Sequence, residues 1–148
     1  LNGRGYPDTV KADNPATTGI DESVISTLND LGNLEDSQPV SSLIEATAGD
    51  IILLRISNLN VTQFNTLGTN GIPMQVIAKD ARLLRDGAGN NMYYMTNSVT
   101  IGGGQSVDVL LHTAGLGGKT FFLYSKNLSQ LANNAENFGG AMTEIVIN

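Results

Sequence analysis

A chain of 148 residues with 41% hydrophobic and 15% charged side chains is large enough to close one core and too apolar to stay disordered. Eight Lys and Arg against fourteen Asp and Glu leave a formal charge of −6, which argues against a nucleic-acid surface; solubility is the plain reading of the acidity. The absence of cysteine excludes disulfides, thiolate metal sites and a cysteine nucleophile, and no apolar run approaches the roughly 18 residues that cross a bilayer.

The length predicts one domain over 1–148, and a start on Leu1-Asn2-Gly3-Arg4, without initiator Met or signal peptide, reads as an excised piece or a processed form. Leu1 to Pro39 is punctuated by Gly, Asp, Asn and Pro. Within it, Asp21 to Leu31 predicts a short helix: Asp21 caps it, Val24, Ile25, Leu28 and Leu31 share a face, and Gly32 stops it. From Ser42 the pattern turns to strands. Leu43–Thr47 is short, and Ile51–Ser57 is apolar on both faces up to Arg55, which predicts a central strand covered on both sides.

Val61–Leu67 follows the Asn58-Leu59-Asn60 break. In the strand from Pro73 to Lys79, Met74, Val76 and Ala78 share one face, and Gln75, Ile77 and Lys79 the other. Arg82–Leu84, Met92–Met95 and Ser98–Ile101 come next, and Gly102-Gly103-Gly104 makes a turn. Gln105–His112 alternates with Val107, Val109 and Leu111 inward. Lys119–Tyr124 and Met142–Ile147 close the set, with a loop or a helical turn or two at Leu128–Phe138. About eight short strands at regular spacing, without an internal repeat, predict an all-β sandwich with one or two short helices in its loops.

Few residues suggest chemistry. His112 is the sole histidine and stands at a strand end on the polar side, where a surface role outweighs a metal role. Ser106, Asp108 and His112 share a face, but no Gly-x-Ser-x-Gly turn supports a catalytic triad. Asp21/Glu22 and Glu35/Asp36 are neighbours in a polar segment and read as solvated charge. The glycines form no phosphate loop. Met92, Met95 and Met142 could offer thioether sulfur to Cu(I), though packing explains them better. Asn60-Val61-Thr62 and Asn127-Leu128-Ser129 match glycosylation acceptors. In Asp80-Ala81-Arg82, Asp80 is expected to accept backbone N–H bonds in a turn, with Arg82 pairing with it or pointing at a neighbouring domain.

Several segments in order resemble a known family. They are Asn2-Gly3-Arg4-Gly5-Tyr6-Pro7-Asp8-Thr9, Ala48-Gly49-Asp50 with Leu54-Arg55-Ile56-Ser57-Asn58-Leu59, and Gly71-Ile72-Pro73-Met74-Gln75-Val76-Ile77-Ala78-Lys79-Asp80. Gly102-Gly103-Gly104-Gln105-Ser106-Val107-Asp108-Val109 and Gly139-Gly140-Ala141-Met142-Thr143-Glu144-Ile145 complete the set. Together they resemble the second, middle cupredoxin domain of a bacterial, laccase-like, three-domain multicopper oxidase. The resemblance implies a Greek-key, cupredoxin-like sandwich. It also implies a parent enzyme that oxidises phenols or metal ions and reduces dioxygen to water, located in the periplasm or secreted.

Family members hold copper with His, Cys, often Met, and His-x-His pairs. This chain has none of those sets, and Ile72 stands where a copper-binding member could carry a histidine. The resemblance therefore implies a structural linking domain without catalytic, cofactor or metal residues of its own, copper belonging to the other domains. Its partners would be the flanking cupredoxin domains, with no nucleic acid and no membrane. Surfaces left bare by missing neighbours would let the isolated piece self-associate. The competing reading is a self-standing β-sandwich module that binds carbohydrate or protein, disfavoured by the 5% aromatic content and absent Trp. A small hydrolase lacks a nucleophile, base and orienting group together.

Overall fold

The computed structural model describes residues 1–10, 40–132 and 138–148. The described residues form ten strands in two sheets. The first sheet has the order β1-β10-β9-β3-β7: β1 (Ile44–Ala46), β10 (Met142–Ile147), β9 (Lys119–Ser125), β3 (Asn65–Thr69) and β7 (Ser98–Ile101). The second runs β2-β8-β4-β5: β2 (Ile51–Ser57), β8 (Ser106–His112), β4 (Met74–Lys79) and β5 (Arg82–Leu83), with β6 (Tyr94–Thr96) also on β4. All pairs are antiparallel except β1 with β10. This is the all-β sandwich that the strand spacing predicts. The helix expected at Asp21–Leu31 lies outside the described residues.

The alternation read in β4 and β8 builds the core. Met74, Val76 and Ala78 of β4 and Val107, Val109 and Leu111 of β8 are buried, facing Leu67, Val99, Ile101, Phe121, Leu123, Ile145 and Ile147 of the first sheet. A strand presents every second side chain to one face, so each supplies three core residues in six or seven. Burying each such side chain contributes roughly 1.5–3 kcal/mol.

Three strand expectations need correction. Ile51–Ser57 is a strand over the expected residues, but an edge one: β2 pairs with β8 alone, and Ile51 and Leu53 are 59% and 45% exposed. An apolar run on both faces ordinarily means cover on both faces; here the outer face has none among the described residues. Val61–Leu67 is the second case, because β3 begins only at Asn65. Before it, Asn60 Oδ1 accepts from the Thr62 and Gln63 amides at 2.8 and 3.2 Å, an Asx-type turn that competes with extension. β6 likewise begins at Tyr94, leaving Met92 in the preceding loop.

Polar side chains pin the strand ends. Buried Asn58 donates from Nδ2 to Ile101 O at 2.9 Å and accepts at Oδ1 from Asn60 N and Asn65 Nδ2. It thereby joins the ends of β2, β3 and β7. Thr113, fully buried after β8, donates to the Thr47 and Asp50 carbonyls and accepts from Gly49 N. Gly103 is required by space: a Cβ there would lie 2.0 Å from the Asn60 carbonyl oxygen.

The N-terminal segment lies on the outer face of the first sheet. Tyr6 pairs with Gly140 through the backbone, its ring meets Phe122 edge-on at 6.3 Å, and its hydroxyl donates to Glu144 Oε1 at 2.7 Å. Thr9 Oγ1 donates to Met142 O. The bond to Glu144, with smaller contributions from burial and the carboxylate charge, raises the Tyr6 pKa above its ordinary value.

Leu111→Ala should lower the unfolding free energy by about 2–5 kcal/mol, read from the denaturant midpoint. Gly103→Ala should lower it by about 1–3 kcal/mol, because the added methyl meets backbone that cannot turn away. The Tyr6 phenol is held neutral beyond its usual range. Its contribution is therefore complete below the unfolded tyrosine pKa and lost as pH rises through the raised folded value. Stability measured across alkaline pH should decline less steeply in Tyr6→Phe than in the parent chain.

Candidate functional site

The residues that suggest chemistry are positioned mainly by β8 and its neighbours. Ser106, Asp108 and His112 do share the outer face of the second sheet, but Asp108 stands two positions from Ser106 and four from His112, about 7 and 13 Å along the strand. The bonds they make run to other residues, Ser106 through its backbone amide. The Ser106 amide donates to Asp80 Oδ1 at 2.9 Å, Asp108 lies 3.9 Å from Arg55 Nε, and His112 Nε2 is 2.9 Å from Gln75 Oε1. The arrangement provides no relay from a base to a nucleophile. The Arg55–Asp108 pair is solvent-exposed on the arginine side and worth little to stability.

Asp80-Ala81 forms the turn between β4 and β5, both residues at positive φ (48° and 60°), as a two-residue hairpin of this twist requires. Asp80 does accept a backbone N–H, but from Ser106 across the sheet rather than from its own turn, and its amide donates back to Ser106 O. The expected turn acid is therefore a clasp between β4 and β8. The Asp86 carboxylate organises the next loop. It accepts from the Asn90 side chain and from the Ala88 and Asn90 amides, and these bonds, the Asn90 side chain foremost, hold its pKa below the usual value. The Asp-Gly-x-Gly-Asn spacing at 86–90 was the available sequence signal for that loop.

The methionines do not converge. Met95 stands on the outer face of the second sheet, Met92 is exposed in the loop before it, and Met142 begins β10 in the other sheet. Met74 is fully buried in the core. In both glycosylation-type sequences the hydroxyl sits near the asparagine Oδ1, at 3.3 Å for Thr62 and 2.8 Å for Ser129. Asp21, Glu22, Glu35 and Asp36 lie outside the described residues.

A blue-copper centre needs two histidines and a cysteine, and a copper cluster needs several histidines. One histidine and no cysteine stand in this chain. Ile72, at the position raised by the resemblance, is 1% exposed, and its carbonyl accepts from Thr69 Oγ1. It is a core side chain, packed at the mouth of β4. Among the described residues no three His, Cys, Asp or Glu side chains form a metal-holding group. The residues present do not fit copper.

What the surface offers instead is apolar. A cleft of about 650 Å³ lies between 59–64 and 102–105, with Leu59, Val61 and Phe64 all strongly exposed beside it. Among the described residues no titratable side chain lines it. The outer face of the second sheet carries the other apolar surface, from Ile51 and Leu53 to Met95. Among the described residues no helix is long and apolar enough to cross a membrane.

The sandwich has close counterparts among solved structures. It is similar to the blue copper oxidase from Nitrosomonas europaea, with a TM-score of 0.60 and 24% identity over 70% of this chain and 30% of that one. The multicopper oxidase mgLAC matches with a TM-score of 0.59 and 15% identity over 83% of this chain and 40% of that one. A laccase from Botrytis aclada matches with a TM-score of 0.54 and 18% identity over 70% of this chain and 18% of that one. The chain thus spans less than half the length of each, and at these identities they speak for the cupredoxin-like fold. No curated protein matches the sequence significantly. The family model for multicopper oxidases matches residues 6–146, almost the whole chain, and the chain therefore belongs to the multicopper oxidase family.

Proposed function

We propose that the chain serves as a copper-free linking domain, the middle one of three, in a multicopper oxidase located outside the cytoplasm. In this reading residues 1–148 form one domain with no catalytic, cofactor or metal residue of its own. Neighbouring cupredoxin domains hold the copper, and the whole enzyme oxidises phenols or metal ions and reduces dioxygen to water. One observation carries the reading. A chain matched end to end by the multicopper oxidase family has a donor set that cannot hold copper, with His112 bonded to Gln75 on an outer face and Ile72 sealed in the core.

The physical role left to such a domain is geometric. A sandwich closed by thirteen clustered core residues is stiff enough to hold two neighbours at fixed distance and orientation. Electron transfer between copper centres in those neighbours would depend on that spacing.

Titration of the purified chain with Cu(I) and Cu(II) should show no stoichiometric site. The copper-treated chain should develop no blue absorption band and should not turn over a phenolic substrate. Tight one-to-one binding abolished by His112→Ala would overturn the reading and make the outer face of the second sheet a copper site.

A further inference from the structure

An antiparallel sheet with one wet face normally alternates apolar-in and polar-out. The second sheet breaks this rule on its outer side. Leu53, Leu110, Gln75 and Met95 stand directly opposite one another across β2, β8, β4 and β6, and Ile51 begins the next row beside His112. Ile51, Leu53 and Met95 are exposed, with Leu110 half-buried between its neighbours. Further along, the same face turns polar, with Arg55 opposite Asp108 and Ser57 opposite Ser106. The result is an apolar centre with a polar margin, the anatomy of a contact surface.

The first sheet is treated differently. Its outer face receives Tyr6 against Phe122 and Glu144, and Thr9 against Met142, so the chain supplies its own cover there. Nothing among the described residues does the same for the Leu53–Met95 row. Among the described residues β2 pairs with β8 alone, which leaves its other edge unpaired beside the row.

We propose that this row is the docking face for an adjacent β-sandwich domain of the same polypeptide. The proposal rests on the linking-domain reading and names the surface through which the link is made. Three exposed apolar side chains are too small a core for the roughly 1,200–2,000 Å² that a stable complex of free partners buries. A tethered neighbour needs far less, because covalent connection holds it at an effective concentration near the millimolar range. The solved relatives have the room for such a neighbour: the matched region is 30% of the Nitrosomonas europaea chain and 40% of mgLAC.

Hydroxyl-radical footprinting tests the assignment, comparing the 148-residue chain with the polypeptide encoded by its full reading frame. Labelling of Leu53 and Met95 should drop about fivefold or more in the longer polypeptide. Leu128, strongly exposed in the segment after β9 of the other sheet, serves as the reference for each sample. Ile51→Lys combined with Leu53→Lys in the longer polypeptide should restore Met95 labelling, while slow amide exchange in β9 and β10 reports an intact fold. Equal labelling of the row in the two polypeptides overturns the proposal and leaves the linking reading in place. Protection in the 148-residue chain alone, rising with its concentration, also overturns it and assigns the face to a second copy. A reading frame that encodes no further domain defeats the linking reading and this inference with it.

Discussion

Water is kept out of the sandwich by two strands, β4 and β8, which lie side by side and send Met74, Val76 and Ala78, and Val107, Val109 and Leu111, into the space between the sheets. Everything else in the second sheet is arranged against this pair. β2 pairs with the outer side of β8, while β5 and β6 pair with the far side of β4. The irregularity between Val76 and Ala78 shifts the β4–β8 register without exposing either residue. A bulge bends a strand and increases its local twist, and this one lies just before the Asp80-Ala81 turn. The reciprocal Asp80–Ser106 bonds then close the pair at that end.

The ends of the sandwich are held by polar groups rather than by further apolar packing. Asn58 and Thr113 sit at opposite ends of the β2–β8 pair, both buried, with side-chain bonds directed mainly at backbone. A buried amide or hydroxyl is costly unless its bonds are made, so these two positions specify one loop geometry and penalise the others. Gly103 belongs to the same arrangement, since the β7–β8 turn passes against the Asn60 carbonyl where no side chain fits.

The fold rests on apolar packing and backbone bonds among the described residues. A copper site needs several soft or imidazole donors aimed at one point. Here the mouth of β4 is closed by Ile72, and the sole histidine lies on the opposite side of the sheet from the core. What remains for recognition is surface, and it is concentrated in the exposed side chains of β2, β6 and the loop at 59–64.

The sequence by itself determined the strands of the core and the absence of a copper donor set. Alternation in Met74–Ala78 and Val107–Leu111 is a local property, because a strand's two faces follow from backbone geometry, and composition settles that one histidine and no cysteine cannot build a blue-copper centre. The segments quoted for the family likewise needed only their order along the chain. Tertiary structure decided the rest. Ile51–Ser57 reads as apolar on both faces whether or not a layer covers it, and only the tertiary structure puts it beside β8 at a sheet edge with Ile51 and Leu53 exposed among the described residues. Asp80 reads as a turn residue, yet its partner is 26 positions away at Ser106. Asn58 reads as a strand break, yet it binds the end of β7. In each case the deciding partner is remote in sequence, so no local pattern could have named it.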